Sequence, residues 1–326
     1  MKYISSLLRA AAVTAWLACG LAQAADKVVV AGWSQPITEI TNLLVEEDKG
    51  FFKARGVELG YVPGAGGGDA IRNMLTGQAT VAFTDPGSFF AALDKGEKLR
   101  AIYDIYPQNV FNVVSLKSSN INKPADLKGK KIGVYSLSSG TRQNLLVLLQ
   151  QAGLTEADVT IVVTGLLNFA PLMQGQVDAT AATDTGLLVG RQKGLGEVNV
   201  MAVRDHLNIS SDLFVVTEAT YQAKKDVLKR FLAGYRDSMA WMIANPDEAA
   251  ALAVKRAIDG KNPAINREVI QLRNLASVSA TTQARGLGAL DMAMFQKAAD
   301  SYKQLGMIQR DIKASDVVMQ DLLPPK

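Results

Sequence analysis

Apolar and polar positions along this chain switch between two rhythms. Residues 28–31 form a short apolar run, as in a buried strand, and residues 38–49 then space their apolar positions as an amphipathic helix does. Residues 56–62 read as a second strand, 69–76 as a helix with Asp69 at its N-cap, and 80–83 as a third strand. A βαβαβ order of this kind predicts a mostly parallel sheet covered by helices. Further on, residues 131–135 read as a strand and 141–152 as a helix. From Tyr221 the chain turns helical. Residues 224–244 carry Val227, Phe231, Leu232, Tyr235, Met239 and Met242 near helical spacing, and Asn245-Pro246 stops that helix. Residues 246–258 and 289–305 follow as helices, and all of these are expected to pack on the outside of the lobes.

The pattern repeats after about 100 residues. "LTGQATVAFTDPG" (75–87) matches "MQGQVDATAATDTG" (173–186) with one extra residue, so Thr84-Asp85 is equivalent to Thr183-Asp184. The pair Trp33-Ser34 ends one strand and Tyr135-Ser136 ends its counterpart. The expectation is two similarly built α/β domains: residues 25–110 with 214–326 as lobe one, and 111–213 as lobe two. The chain crosses between them through residues 106–117 and returns through 212–217, a two-strand hinge. In open parallel sheets ligands sit beyond the carboxyl ends of the strands, where helix N-termini point. The repeated polar motifs all fall there, so facing lobes place both sets in one cleft.

The start of the chain changes the compartment. Lys2 and Arg9 precede or flank an apolar run over residues 10–21, and Ala22-Gln23-Ala24 supplies small residues for cleavage after Ala24. Residues 1–24 are read as a cleavable secretory signal peptide, which makes the mature protein periplasmic. A lipoprotein anchor on Cys19 is the lesser alternative, since Trp16 stands where such signals usually have Leu. Cys19 is the single cysteine, so the mature chain relies on its apolar core and not on disulfides. The chain has 35 Lys and Arg against 31 Asp and Glu, a net of +4, and two of those bases leave with the leader. That balance does not call for nucleic acid.

Candidate binding residues cluster at the strand ends. Trp33, Ser34 and Gln35 follow the first strand, with Trp33 placed to stack on a planar ligand or to pack between lobes. "GAGGGD" (64–69) lacks the Lys-Ser/Thr ending of a P-loop. Gly66 and Gly67 either let backbone amides approach a ligand or only make a tight turn. In "SLSSGT", one of Ser138, Ser139 and Thr141 caps the helix, and the excess of hydroxyls points to a ligand contact by another. The amides at that helix N-terminus favour a negative or acceptor-rich group. Asp85, Asp184 and Asn168 are caps or cleft residues, and the two aspartates would want donors. Arg72 and Arg142 are alternatives for holding an anion. His206, the single histidine, sits in a polar loop, so neither a Ser-His-Asp hydrolase nor a zinc site is expected, and no cofactor is called for.

"INKPADLKGKKIGV" (121–134) resembles the entry to lobe two of periplasmic solute-binding proteins of ABC importers. "LLVEEDKGFFKARGVELGYVPGAGGGDAIRNMLTGQATVAF" (43–83) resembles their nitrate/sulfonate/taurine and thiamine-pyrimidine branch. The resemblance implies a type II periplasmic binding protein, monomeric and not an enzyme. Such a receptor closes on one small solute and hands it to a membrane permease. The expected solute is a small organic anion, a sulfonate or aromatic carboxylate. The alternatives are an N-heterocycle such as a thiamine-precursor pyrimidine, or a secreted sensor presenting the same cleft. The branch also contains a pyrimidine synthase with a cysteine-rich iron motif, which a mature chain without cysteine does not match.

Overall fold

The computed structural model describes residues 25–325; the leader, with Cys19 and the expected cleavage site, lies outside the described residues. Ten strands form two five-stranded sheets. The first contains β1 (Asp26–Ala31), β2 (Val57–Val62), β3 (Val81–Thr84), β4 (Leu99–Tyr106) and β10 (Asp212–Thr217), in the order β2-β1-β3-β10-β4. The second contains β5 (Phe111–Leu116), β6 (Lys131–Val134), β7 (Thr160–Val163), β8 (Ala179–Thr183) and β9 (Val198–Ala202), in the order β7-β6-β8-β5-β9. β3 and β8, the strands of the repeated motif, hold the same place in their two sheets.

Each sheet departs from the expected parallel pattern at one strand. β1 pairs parallel with β2 and β3, and β6 with β7 and β8, but β10 runs antiparallel to β3 and β4, and β5 to β8 and β9. The reason is topological. β5 and β10 are the strands by which the chain enters a lobe from the other one. They start at the rim where the lobes face each other and run away from it, whereas β1, β3, β6 and β8 run towards it. The first residues of the two crossing strands, Phe111 and Asp212, therefore share the rim with the carboxyl ends of the parallel strands. The crossing segments 107–110 and 203–211 are bonded to one another: Ser211 Oγ donates to Gln108 O (2.7 Å), Val110 N to Ser211 Oγ (2.9 Å), and Asn109 N to Asn208 Oδ1 (2.9 Å).

The longer helices are α1 (Gly67–Leu75), α2 (Pro86–Asp94), α3 (Gly140–Gln151), α4 (Asp184–Gln192), α5 (Lys225–Ala244), α6 (Pro246–Arg256), α7 (Pro263–Ala276) and α8 (Met292–Gln304). α5 buries Leu228, Phe231, Leu232, Tyr235, Met239 and Met242, an i, i+3, i+4 stripe laid on the first sheet. There Phe214 of β10 meets Tyr235 edge-on at 4.6 Å between ring centroids and Phe231 at 5.2 Å, and Phe83, its partner across β3 and β10, packs at 5.4 Å. Rings in these offset and edge-on geometries add to the area they bury. No helix among the described residues is long and apolar enough to cross a membrane.

Two local expectations are corrected. Residues 38–49 do not form one helix: the chain makes a 3-10 turn, Thr38–Ile40, then two single turns, Thr41–Leu44 and Glu46–Lys49, with breaks at Ile40 and Val45. The β-branched residues Thr38, Ile40, Thr41 and Val45 resist a continuous helix there. Asp69 is not the N-cap of its helix. Gly66, at φ 126, takes that position, and Asp69 in the first turn accepts from Ala65 N (3.1 Å) and pairs with Arg72.

Candidate ligand-binding site

A cavity of about 390 Å³ opens between the two sheets. Lobe one contributes Trp33, Ile37, Glu39, Gly66, Gly67, Asp85 and Asp212, and the C-terminal helical region adds Ile258, Asp259, Val269 and Arg273. Lobe two contributes Phe111, Tyr135, the Ser139–Thr141 turn, the loop over residues 165–170, and Thr183, Thr185 and Gly186. Trp33, Gly66, Gly67, Asp85, Ser139, Thr141 and Asn168 of the sequence-predicted set thus face one space. Four others lie off it. Gln35 is exposed, and Ser34 is buried with its hydroxyl donating to Gln35 O (2.8 Å). Ser138 donates across the lobes to Ala65 O (3.0 Å), and Asp184 pairs with Arg273.

The lobes are in contact, and glycines permit it. Gly68 N donates to Ser138 O (2.9 Å), and Ser136 Oγ also donates to Ala65 O. A Cβ on Gly66 would stand 2.4 Å from Ser138 O, besides needing φ 126, and one on Gly68 would stand 3.1 Å from Ser138 Cβ. The glycine run thus serves lobe-to-lobe approach in addition to its turn. Across the cleft, Thr185 Oγ1 donates to Glu39 Oε1 (2.7 Å), while Arg273 pairs with Asp184 and lies 3.8 Å from Glu39. Arg273 is 1% exposed, and its guanidinium lies over the Tyr106 ring at 5.0 Å. Glu39 and Arg273 from lobe one, with Asp184 and Thr185 from lobe two, form one latch, buried at Arg273 and Thr185 and partly open at Asp184.

At the turn 136–141, Ser139 caps α3 by accepting from Arg142 N (3.4 Å), and Thr141 Oγ1 accepts from Tyr135 N (3.0 Å). The first amides of α3 have no partner inside the helix, which leaves an acceptor-seeking end in the cavity wall. Arg142 is turned away to Glu156, and Arg72 to Asp69, so neither holds an anion here. Asn168 lines the cavity in an unusual backbone conformation (φ 52, ψ −97), its amide lodged where a Cβ on Gly186 would stand. The Trp33 ring stands edge-on to Phe83 at 6.2 Å, and its indole N–H is buried without a partner among the described residues. His206 is exposed and does not line the cavity.

The cavity is rich in acid. Glu39, Asp85, Asp212 and Asp259 line it, against Arg273 and Lys193, and Lys193 is exposed. Burial pushes Glu39 and Asp85 up from the ordinary carboxylate range, Arg273 and Thr185 acting against it at Glu39 and Ser88 at Asp85. Burial also pushes Asp212 well up, and the charges of Asp85 and Glu39 add to that. Asp85 caps α2, its two oxygens accepting from Ser88 N (2.9 Å) and Ser88 Oγ (2.7 Å).

Sequence reasoning missed Glu39, Asp212, Asp259 and Arg273, and it placed the C-terminal helices outside the site. Two signals were present. Arg273 interrupts the apolar stripe of α7, whose buried positions include Val269, Ile270 and Ala276. Asp212 opens the apolar run of β10. Neither signal states on its own what the charge faces.

The sequence matches a described family, "NMT1/THI5 like", over residues 37–249. A riboflavin-binding protein, RibY, of Chloroflexus aurantiacus is 24% identical over 323 residues, covering 97% of this chain and 91% of that protein. A Bordetella bronchiseptica protein of solved structure superposes with a TM-score of 0.73 at 22% identity, over 91% of this chain and 95% of that one. The alkanesulfonate-binding protein SsuA of Xanthomonas axonopodis pv. citri, bound to MOPS, does so at 0.71 and 16% identity, over 90% and 98%. The solved structures share the two-lobed periplasmic binding protein fold, and with its family match spanning well over half of its length, the chain belongs to the NMT1/THI5-like family.

Proposed function

We propose that this protein is the periplasmic solute receptor of an ABC importer, and that the solute it encloses is a planar N-heterocycle carrying N–H donors. The observation that carries the choice of solute is the excess of carboxylates in an otherwise apolar cavity. A sulfonate or carboxylate ligand would find no free cation there, only the first amides of α3, to replace its hydration. Arg273 is already engaged by Asp184 beside Glu39, and Lys193 stands in solvent. A planar heterocycle meets what is there: Trp33, Tyr135 and Phe111 for its faces, the first amides of α3 for its acceptors, and carboxylates for its donors. That RibY is named for binding riboflavin, a large planar heterocycle, supports the same side; that SsuA is named for alkanesulfonates supports the anion reading.

The receptor mechanism follows from the two-lobed form. A ligand seated on one lobe adds contacts from the other, and it shifts the lobes towards the closed arrangement by as much as it binds that arrangement better. The solute is released unchanged to the permease. Titration calorimetry with riboflavin, 4-amino-2-methylpyrimidine and ethanesulfonate tests the reading. Heat from a heterocycle and none from ethanesulfonate is expected, and the reverse overturns the choice of ligand class. A bound compound that emerges chemically altered would overturn the receptor role.

A further inference from the structure

The four acids of the cavity are not equivalent. Asp85 uses both oxygens on Ser88, at 2.9 and 2.7 Å. Glu39 accepts from Thr185 at 2.7 Å and has Arg273 beside it. Asp259 accepts from Thr38 N and Thr38 Oγ1, both at 2.8 Å. Asp212 is the exception: among the described residues its carboxylate has neither a hydrogen-bond donor nor an ion-pair partner, although the residue is only 6% exposed and lines the cavity. The charges acting on it, from Asp85, Glu39 and Asp104, are all acidic.

Its position in the fold explains how it comes to stand there. Asp212 is the first residue of β10, opposite Tyr106 in the register with β4 and next to the pairing of Leu213 with Thr84. Because β10 runs antiparallel, its first residue lies at the same rim as Asp85, which follows β3, and as Phe111, which opens β5. Asp212 is thereby held at the junction of the lobes by main-chain pairing alone, with its side chain left unspent. A buried carboxylate without a donor is costly, and a site that keeps one is built for a group that brings the donor.

We propose that Asp212 is the residue by which the cavity selects its ligand: its carboxylate accepts a hydrogen bond from an N–H or protonated nitrogen of the bound heterocycle, so that a ligand with a donor edge is held more tightly than one without. This inference rests on the heterocycle-receptor reading above and names the group that enforces it. Burial and the neighbouring acids raise Asp212 from the carboxylate range, and a donor or cation from the ligand reverses that push.

The test uses the full mature chain with Asp212→Asn and Asp212→Ala, titrated with riboflavin, 4-amino-2-methylpyrimidine and ethanesulfonate. Loss of a charge-assisted hydrogen bond predicts affinity for the heterocycle lower by about ten- to a hundredfold. A heterocycle bound equally by wild type and both variants overturns the role of Asp212 and leaves the receptor reading standing. Wild-type binding of ethanesulfonate alone overturns the heterocycle reading on which the proposal rests. A second measurement needs no ligand. If Asp212 has no partner inside the protein, Asp212→Asn melts at the same temperature as the empty wild type or higher at pH 7.5. A lower melting temperature shows a structural partner for the carboxylate and overturns the proposal, and this arm decides if none of the three compounds binds.

Discussion

Thr185→Val separates lobe closure from lobe folding. Thr185 Oγ1 donates to Glu39 Oε1 at 2.7 Å, and the two residues belong to different lobes, so the bond exists only when the lobes meet. Valine keeps the β-branched shape and removes the donor. Thr185 is 1% exposed in the closed form, and Glu39 is largely enclosed, its side chain 13% exposed, with its carboxyl raised by that burial. A hydrogen bond to a charged group contributes about 1.5–3 kcal/mol, and removing it leaves a buried acceptor short of a partner. Once the lobes part, Glu39 faces water and the loss disappears. The substitution therefore acts on the closing equilibrium by that amount, a factor of about ten to a hundred or more. Affinity for whichever heterocycle wild type binds should fall by the same factor, and small-angle scattering of the empty protein should shift towards a larger radius of gyration. Within lobe two the substitution also removes the 2.9 Å contact of Thr185 Oγ1 with Thr183 Oγ1, so melting should fall by no more than the loss of that one neutral hydrogen bond, about 0.5–1.5 kcal/mol. Unchanged scattering together with unchanged affinity would refute the reasoning, because it would mean that the Glu39–Thr185 contact does not hold the lobes together.

Two further outcomes are expected. Gly66→Ala should weaken binding more than Thr185→Val does: its Cβ would meet Ser138 O at 2.4 Å in the closed form and also strains a φ of 126, and equal affinity in calorimetry would show that the lobes do not meet there. Asp104 is pushed up to about 8, chiefly by burial, with Asp291 adding and Ser210 opposing; since its unfolded value is about 3.9, the fold holds an extra proton through that window, and its stability is fullest below the unfolded value and falls as pH rises through about 8. Between pH 5 and 8, wild type should lose up to about 1.4 kcal/mol per pH unit relative to Asp104→Asn, and parallel melting curves for the two proteins over that range would contradict the assignment.

Much of the site's framework was legible from neighbours in sequence. The turn at 136–141 announces its own cap, because Ser139 answers an amide only three residues on. Asp85 is answered by Ser88, also three residues on, so its role as a cap was within reach of the sequence as well. The repeat that equates Thr84-Asp85 with Thr183-Asp184 does not extend to their carboxylates: Asp85 stays on its own helix, while Asp184 reaches Arg273, 89 residues away.

The one-dimensional order determined the rhythm of strands and helices, the two-lobed plan and the polar strand ends that face a cleft, since each depends on periodicities and caps only a few residues long. Which charges remain free in that cleft was decided by tertiary structure alone. Arg273 came to the latch from a helix that reads as outer packing, and Glu39 from a segment that reads as an amphipathic helix. Asp212 has no partner among the described residues and stands at the ligand rim because an antiparallel crossing strand begins there. A charge's worth depends on its distance to partners and its burial, and folding sets both across sequence separations as long as that from Glu39 to Arg273, where sequence spacing carries no information.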